Sequence, residues 1–187
     1  MGPFVQEESP RRADARRNAE RVQRVALEVL ERRGSEATVM DVAREAGVGK
    51  ATVYRNFPTK ASLLAFAAEH HGRWLLDRID ATLAASDEDR FAALIRDTML
   101  RIRSAPILLE SLRPHDGPEP PVGGAVSERL SRVVEAGIAA GRLRPDTTVD
   151  DLGLLIIGAS EYLAARGASE VDALRAAELI ARAVGRP

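Results

Sequence analysis

The residues from 50 to 56 carry the side chains best able to bind a polyanion. Their sequence is Lys-Ala-Thr-Val-Tyr-Arg-Asn. In a helix, Val53 would face the protein interior and the polar residues would face outward. Ammonium and hydroxyl groups bind phosphate oxygens, whereas guanidinium and amide groups also hydrogen-bond the edges of bases. The segment therefore predicts a helix whose outward face docks in the major groove of a nucleic acid.

The residues just before this segment predict the rest of a helix-turn-helix. Thr38 and Asp41 have the spacing of a weak capping box at the start of a helix. Ala43 is small enough for the close contact of two steeply crossing helices. Gly47 suits the left-handed turn between them, which a Cβ would penalise. Pro58 prevents the second helix from continuing, so that a new helix must start after it.

This arrangement resembles the DNA-binding domain of the TetR family of transcriptional regulators. The resemblance extends from Ala19 to about Leu64, and the helix order of the remaining chain is loosely similar. The pieces that carry it are Val42-Ala43-Arg44-Glu45-Ala46-Gly47-Val48, Thr52-Val53-Tyr54-Arg55-Asn56-Phe57, and Lys60 ahead of Leu63. A helix-turn-helix with a purely structural role is the alternative. The basic outward face and its two flanking lysines argue against that alternative.

The resemblance implies a role for each polar residue of the segment. Thr38 would hold a backbone phosphate through its hydroxyl and the helix N-terminus, and Lys60 would be a second phosphate anchor. Lys50, Thr52 and Tyr54 match positions that touch phosphates or base edges, with Tyr54 acting mainly through its hydroxyl. Arg55 and Asn56 lie at variable positions, where they either read bases or pair locally.

The sequence departs from the family pattern at two positions. Gly49 stands where Ser or Thr usually caps the reading helix, so that cap is absent. Ala51 stands where glycine is common, which would keep the backbone slightly farther from DNA. Both positions still belong to the DNA-facing segment. The predicted DNA-binding residues are Thr38, Gly49, Lys50, Ala51, Thr52, Tyr54, Arg55, Asn56 and Lys60.

The composition predicts an all-α protein. Hydrophobic residues make up 45% of the chain and aromatic residues only 4%, while strong helix formers such as Ala, Leu, Arg and Glu dominate. Apolar periodicity and capping residues predict about nine helices and no strand. The first helix would begin near Asp14 and the seventh near Ala125, while Thr148 with Asp151 and Ser169 with Asp172 would open the last two. We expect an N-terminal three-helix helix-turn-helix domain over residues 12–65. A helical effector-binding and dimerisation domain would follow over residues 66–187.

Charge is distributed unevenly along the chain. The formal net charge is −1, but residues 1–60 carry +3 and residues 61–187 carry −4. This asymmetry suggests an anion-facing N-terminal part. Arg11, Arg12, Arg16 and Arg17 oppose the dipole of the first helix, so they form either an arm that reaches DNA or a solvated basic tail. Without a long apolar run or a signal-peptide pattern, we expect a cytoplasmic protein with no membrane partner.

Few residues could support catalysis or bind a metal. The chain has no cysteine, which excludes disulfides, thiolate zinc sites and cysteine nucleophiles. His70 and His71 would point about 100° apart on a helix, which favours solvated or pocket-lining histidines over a shared metal ion. His115 and Asp116 lie in a loop rich in proline and glycine, with no nucleophile nearby in the sequence. We therefore expect no catalytic residue, metal site or cofactor, and no enzyme activity.

The apolar residues from 152 to 157 spread over several faces of one helix, so that a single core contact cannot bury them all. The resemblance implies that this helix and the last one form a two-fold, four-helix dimer interface. A deeply buried internal helix is the alternative. The predicted interface residues are Leu152, Leu155, Ile156, Ala159, Leu174, Leu179 and Ile180.

The resemblance also implies that the middle helices enclose a pocket for a small-molecule effector, whose binding would move the DNA-binding domains apart. The predicted lining residues are Phe66, His70, Trp74, Met99, Arg103 and Tyr162. The implied function is a ligand-responsive regulator, usually a repressor in this family, that binds a palindromic operator in double-stranded DNA as a homodimer. The alternative is a DNA-binding regulator without a ligand, which is constitutive or controlled by a protein partner.

Overall fold

The computed structural model describes residues 10–85, 89–113 and 121–186, and it confirms the predicted all-α fold. These residues form nine α-helices, and their β-structure is limited to one isolated bridge between Leu143 and Gly185. None of these helices is long and apolar enough to cross a membrane. The helices are α1 (Pro10–Arg33), α2 (Val39–Ala46), α3 (Lys50–Asn56), α4 (Lys60–Ala84), α5 (Arg90–Ser104), α6 (Pro106–Leu112), α7 (Pro121–Ala139), α8 (Val149–Ala165) and α9 (Glu170–Val184).

The chain divides into two compact units between Ala65 and Phe66. We call the described residues up to 65 the head and those from 66 onward the body. In the head, α1, α2 and α3 contact one another. Val22, Ala26 and Val29 form the buried side of α1, because residues three or four apart share one face of a helix. These small aliphatic side chains allow three helices to pack closely.

Three helices begin at capping boxes that the sequence predicted. In each box, the hydroxyl of the cap residue accepts a hydrogen bond from an amide in the first turn, and the carboxylate accepts one from the amide of the cap residue. These bonds satisfy amides that the start of a helix leaves without an intrahelical partner. The pairs are Thr38 and Asp41 at α2, Thr148 and Asp151 at α8, and Ser169 and Asp172 at α9.

Two helices begin earlier than the sequence predicted. α1 starts at Pro10 instead of near Asp14, and α7 starts at Pro121 instead of near Ala125. Proline is well tolerated in the first turn of a helix, because the amide it lacks would have no intrahelical partner there. The predicted Pro- and Gly-rich loop therefore ends before residue 121, and residues 114–120, including His115 and Asp116, lie outside the described residues.

In the body, α9 packs along α5. Met99 and Ile102 of α5 join Ile180 and Val184 of α9 in one buried cluster. A second cluster joins α4, α5 and α7. At Gly72 of α4, a Cβ would lie only 2.3 Å from a methyl carbon of Val122, so that the absence of a side chain allows α7 to approach α4 this closely.

Candidate nucleic-acid interface

Helix α3 has one buried side and one exposed side. Val53 is fully buried and Phe57, just after the last turn, is 3% exposed. Thr52 and Asn56 are half-buried. The exposed residues are Lys50, Ala51, Tyr54 and Arg55. The orientation agrees with the one predicted from the sequence, because the apolar residues hold the head together while the polar ones remain accessible to a ligand.

Lys50 and Tyr54 form a pair on the exposed side of α3. The Nζ of Lys50 lies 5.4 Å from the centroid of the Tyr54 ring, which is within the range of a cation–π attraction. Because they are four residues apart, the two side chains lie on the same face of the helix. The pair therefore places one cation beside one phenolic hydroxyl, and both groups can bind a phosphate oxygen.

Arg55 and Lys60 are exposed cations that make no ion pair within the described residues. No Asp or Glu occurs in the sequence between Glu45 and Glu69. Lys60 is also the first residue of α4, next to the positive end of the helix dipole. The positive charge of this segment is therefore not neutralised by its neighbours in sequence, as a phosphate-binding surface requires.

Asn56 has a local partner. Its Nδ2 donates a hydrogen bond to the backbone carbonyl of Thr52, at 2.9 Å. This bond satisfies one of the carbonyls that the last turn of a helix leaves unpaired. Of the two roles that the sequence left open for Asn56, the structure therefore contains the local pairing.

Gly49 begins α3 without a side-chain cap. Its φ of −65° and ψ of 144° are accessible to any residue, and a Cβ there would meet no atom within 4 Å. Neither backbone strain nor crowding in the head therefore requires glycine at this position. Gly47 differs, because its φ of 62° lies in the left-handed region that favours glycine.

Thr38 is fully engaged in capping α2. Its hydroxyl donates to Oδ2 of Asp41 at 2.6 Å and accepts from the Asp41 amide at 3.1 Å. A hydroxyl has only one proton to donate, so the predicted phosphate contact through the Thr38 hydroxyl has to be corrected. The groups left for an anion at this end of α2 are the free amides of its first turn.

Asp41 makes two ion pairs at the junction of α1 and α2, and neither was predicted from the sequence. Its carboxylate is nearly buried and accepts hydrogen bonds from Arg33 at 2.7 Å and from Arg44 at 2.8 Å. The hydrogen bond from the Thr38 side chain, aided by the two arginines, lowers the pKa of Asp41 below its usual value. The spacing of Asp41 and Arg44 could have predicted one ion pair, but the contact with Arg33 depends on the tertiary fold.

The arginines at the start of the chain belong to α1. Arg16 lies 3.5 Å from Glu20, and Arg17 pairs with Asp14. All four side chains are exposed to solvent. These contacts favour a solvated basic segment over a free arm, while the side chains of Arg11 and Arg12 lie outside the described residues.

Comparison with known proteins agrees with this geometry. A family model described as "Bacterial regulatory proteins, tetR family" matches residues 24–66, which contain α2 and α3. The crystal structure of a TetR transcription regulatory protein from Mycobacterium vanbaalenii is 29% identical, with a TM-score of 0.61, covering 95% of this chain and 100% of that chain. Residues 24–66 therefore form a DNA-binding domain of the TetR family. The chain is a DNA-binding transcriptional regulator.

Two further solved structures share the fold of this protein. A TetR-family regulator from Agrobacterium tumefaciens is 20% identical, with a TM-score of 0.68 over 92% of this chain and 100% of that chain. A regulator from Saccharomonospora viridis, solved in complex with choline, is 21% identical, with a TM-score of 0.65 and the same coverage. No curated protein matches the sequence.

The body contains a cavity of about 780 Å³. Its buried wall includes Leu75 and Ile79 of α4, Ile95 of α5 and Leu108 of α6. It reaches the surface beside Leu154 of α8, which is 73% exposed. Pockets for small organic ligands span roughly 300–1,000 Å³, so the cavity has the volume of a ligand site.

The structure corrects the predicted lining of this cavity. Ala68, Gly72 and Leu75 form the cavity side of α4, and at 100° per residue Phe66, His70 and Trp74 point away from it. Met99 is buried against Ser160, Arg103 is exposed, and Tyr162 lies under the guanidinium of Arg166 on the surface. The residues that line the cavity were missed because most of them are ordinary aliphatic side chains.

His71 is fully buried, whereas its neighbour His70 is exposed. Arg101 lies 3.2 Å from Nδ1 of His71. Because a guanidinium can only donate, Nδ1 must be the acceptor and Nε2 must carry the proton of the neutral ring. Burial, followed by the charge of Arg101, lowers the pKa of His71 to about 4. The described residues contain no cluster of three metal-ligating side chains.

The structure also corrects part of the predicted dimer interface. Leu152, Ile156 and Ile180 are buried in the core of the protomer itself, because α5 and α9 cover that side of α8. Leu155, Ala159 and Leu174 are partly buried. Of the predicted residues, only Leu179 is well exposed, at 50%. The exposed large apolar residues of α8 and α9 are Leu154, Tyr162, Val171 and Leu179.

Proposed function

We propose that this TetR-family protein is a ligand-responsive repressor that binds a palindromic operator as a homodimer. In this proposal, residues 12–65 bind DNA, and residues 66–187 bind the effector and form the dimer. The protein acts through binding and carries out no catalysis. The observation that supports DNA binding most directly is the division of α3 into a buried side and an exposed basic side.

Most of the contacts we propose position the protein on the DNA backbone. Lys50, Tyr54 and Lys60 bind phosphates, together with the free amides at the start of α2. Arg55 reads a base, because its guanidinium makes no ion pair within the described residues and can donate two parallel hydrogen bonds to guanine. Thr52 contacts a phosphate or a base edge through its hydroxyl, and the side-chain amide of Asn56 stabilises the last turn of α3.

The exposed apolar residues of α8 and α9 support dimerisation. Leu154, Gly158 and Tyr162 are exposed and follow one another at four-residue intervals along α8. A Cβ at Gly158 would meet no atom within 4 Å in the protomer, and glycine inside a helix costs roughly 1 kcal/mol relative to alanine. A second copy packing closely against Gly158 would give this glycine a structural role.

The cavity in the body supports a response to a small molecule. It has the volume of a ligand site, and choline was found in the structure from Saccharomonospora viridis. Binding of a ligand among α4, α5, α7 and α8 would shift these helices, and α4 continues into the head. The ligand would thereby change the separation of the two heads and their fit to the operator.

Selection of bound sequences from random double-stranded DNA tests the DNA-binding part of this proposal. We expect enrichment of an inverted repeat, because two identical heads related by a two-fold axis read inverted half-sites. Screening small molecules for release of the selected operator then tests the ligand response. Enrichment of no sequence would contradict the operator, and stable binding in the presence of every ligand that fills the cavity would contradict the response.

Substitution of Lys60 separates backbone contacts from base reading. Lys60→Ala should weaken binding to all DNA sequences to a similar extent and lower the slope of log K against log salt by about one unit per head. Arg132→Ala, which removes an exposed cation of α7, is the control and should leave the slope unchanged. A loss of affinity confined to one operator variant would assign Lys60 to base reading instead.

A further inference from the structure

We propose that the cavity of the body selects an uncharged, mainly aliphatic ligand and discriminates most strongly against carboxylates. This inference rests on the proposed ligand response, and it concerns the chemistry of the same cavity. It follows from the distribution of polar groups along the wall.

The buried part of the wall is almost entirely aliphatic. Ile79, Leu94, Ile95 and Leu108 are each less than 5% exposed and line the cavity. The described lining residues include no aromatic side chain. A quaternary ammonium or other cation in the interior would therefore find no ring face for a cation–π contact.

Thr98 is the polar residue of the buried wall, and its hydroxyl is already engaged. Oγ1 donates to the carbonyl of Leu94 at 2.8 Å, and Thr98 is only 4% exposed. The hydroxyl oxygen can still accept a hydrogen bond, but it offers no further proton to an anion. A charge placed in this interior would be buried without a partner, which is strongly unfavourable.

The other polar lining residues, Arg113, Ser127 and Asp150, are exposed and therefore belong to the rim of the cavity. The Nε of Arg113 donates to Oε1 of Glu161 at 2.6 Å. Asp150 adds a second carboxylate to the rim, so that two acidic groups accompany one arginine. A carboxylate held at the rim would be repelled by these groups and would compete with Glu161 for Arg113.

Three probes with the same ten-carbon chain test the inference: 1-decanol, decanoate and decyltrimethylammonium. We expect calorimetric titration of the full chain at neutral pH to show that decanol binds most tightly and decanoate most weakly. The difference between these two should be about tenfold or more, since a buried unpaired charge costs more than the 1.4 kcal/mol that corresponds to tenfold. Equal or tighter binding of decanoate would overturn the proposal.

Two substitutions show whether the probes bind in this cavity. Ala68→Phe fills the cavity from α4, and Ser127→Phe fills it from an exposed position of α7 where a larger side chain does not disturb the core. Ala139→Phe, exposed on α7 and absent from the lining, is the matched control. We expect decanol binding to be lost in the folded cavity variants and kept in the control. Unchanged binding in Ser127→Phe would overturn the proposal.

Operator affinity measured in the same samples separates this inference from the proposed function. Decanol that binds in the cavity and releases operator DNA supports both. Decanol that binds in the cavity with the expected preference but leaves operator affinity unchanged supports the ligand class and contradicts the ligand response. Tight binding of a charged probe that releases the operator has the opposite meaning, because it supports the response and overturns the ligand class.

Discussion

Tyr54 offers DNA a hydroxyl and a ring that can be tested separately. Tyr54→Phe removes only the hydroxyl and keeps the ring on which the ammonium of Lys50 lies. We expect the variant to keep the melting temperature of the parent and to lose about 1 kcal/mol of operator binding per head, the typical net contribution of one hydrogen bond. Thermal unfolding and operator titration measure the two effects.

Val53→Asp is the contrasting change on the same helix. It would bury an unpaired charge at a fully buried position, so the head should unfold and DNA binding should disappear with it. Parallel losses of stability and affinity in Tyr54→Phe would mean that Tyr54 belongs to the core of the head, contrary to its 40% exposure.

His71 makes the stability of the body depend on pH in a predictable direction. Its pKa is about 4 in the folded protein, below the usual histidine value of 6.5, because burial and the charge of Arg101 disfavour protonation. The folded state therefore binds fewer protons than the unfolded state between these two values. We expect the free energy of unfolding to be retained well above pH 6.5 and to fall by about 3 kcal/mol as the pH approaches 4.

His71→Gln is the control for this titration, because its amide oxygen can still accept a hydrogen bond from Arg101. We expect the variant to lose the pH dependence between 6.5 and 4 in urea unfolding experiments. The lowered pKa values of Asp41, Asp151 and Asp172 affect stability only at lower pH, since the usual pKa of an aspartate is 3.8. If the free energy of unfolding of His71→Gln still fell between pH 6.5 and 4, another group would be responsible for the pH dependence.

At the scale of elements, Gly47 and Gly49 of the helix-turn-helix differ in backbone conformation but not in the space around them, so that their substitution measures the cost of the conformation alone. A Cβ at Gly47 or at Gly49 would meet no atom within 4 Å, but only Gly47 has a positive φ. Gly47→Ser should therefore cost about 1 kcal/mol of stability. Gly49→Ser should add a few tenths of a kcal/mol, because serine caps a helix slightly better than glycine. Urea unfolding of both variants measures the difference, and equal effects would contradict this account.

Sequence patterns predicted the elements of this fold well, because their determinants are local. The capping pairs that begin α2, α8 and α9 are three residues apart, and their geometry needs only one turn of helix. The burial of Val53 and Phe57 likewise follows from their spacing and from the glycine and proline that limit α3. The starts of α1 and α7 were predicted too late in the sequence, because a proline can either end a preceding segment or occupy the first turn of a helix.

The cavity and the exposed face of α8 could not be predicted with the same success, because both depend on which helices become neighbours. Leu152 and Leu154 have the same side chain, but one is fully buried and the other is 73% exposed. The apolar run gives no means of deciding which of them faces α5 and α9. The residues predicted to line the cavity were mostly aromatic or polar, such as Tyr162, although aliphatic residues form its wall.

At the scale of the whole molecule, substitutions of Leu152 and Leu154 separate effects on dimerisation from effects on folding. Leu154→Glu should disperse the proposed homodimer, because it would place a charge in the apolar face between two copies. Since Leu154 is mostly exposed in the protomer, the helix content should be retained. Light scattering and circular dichroism at micromolar concentration measure both properties.

Leu152→Ala should have the opposite effect. Shortening this fully buried side chain should cost about 2–5 kcal/mol of stability and leave the exposed faces of α8 and α9 unchanged, so that the protein that remains folded is still dimeric. If, in contrast, the Leu154→Glu variant remained dimeric, the dimer interface would have to lie on another surface.

The packing of α9 along α5 also sets the order in which a nascent chain can fold. The helices α1 to α3 lie within the first 56 residues, so that their mutual contacts can form early in synthesis. The partner of α5 begins only at residue 170, and until it leaves the ribosome, Met99 and Ile102 lack the residues that bury them. During translation, a folded DNA-binding element is therefore joined to a body whose apolar core is open, and a chain that stops before α9 exposes that core to aggregation.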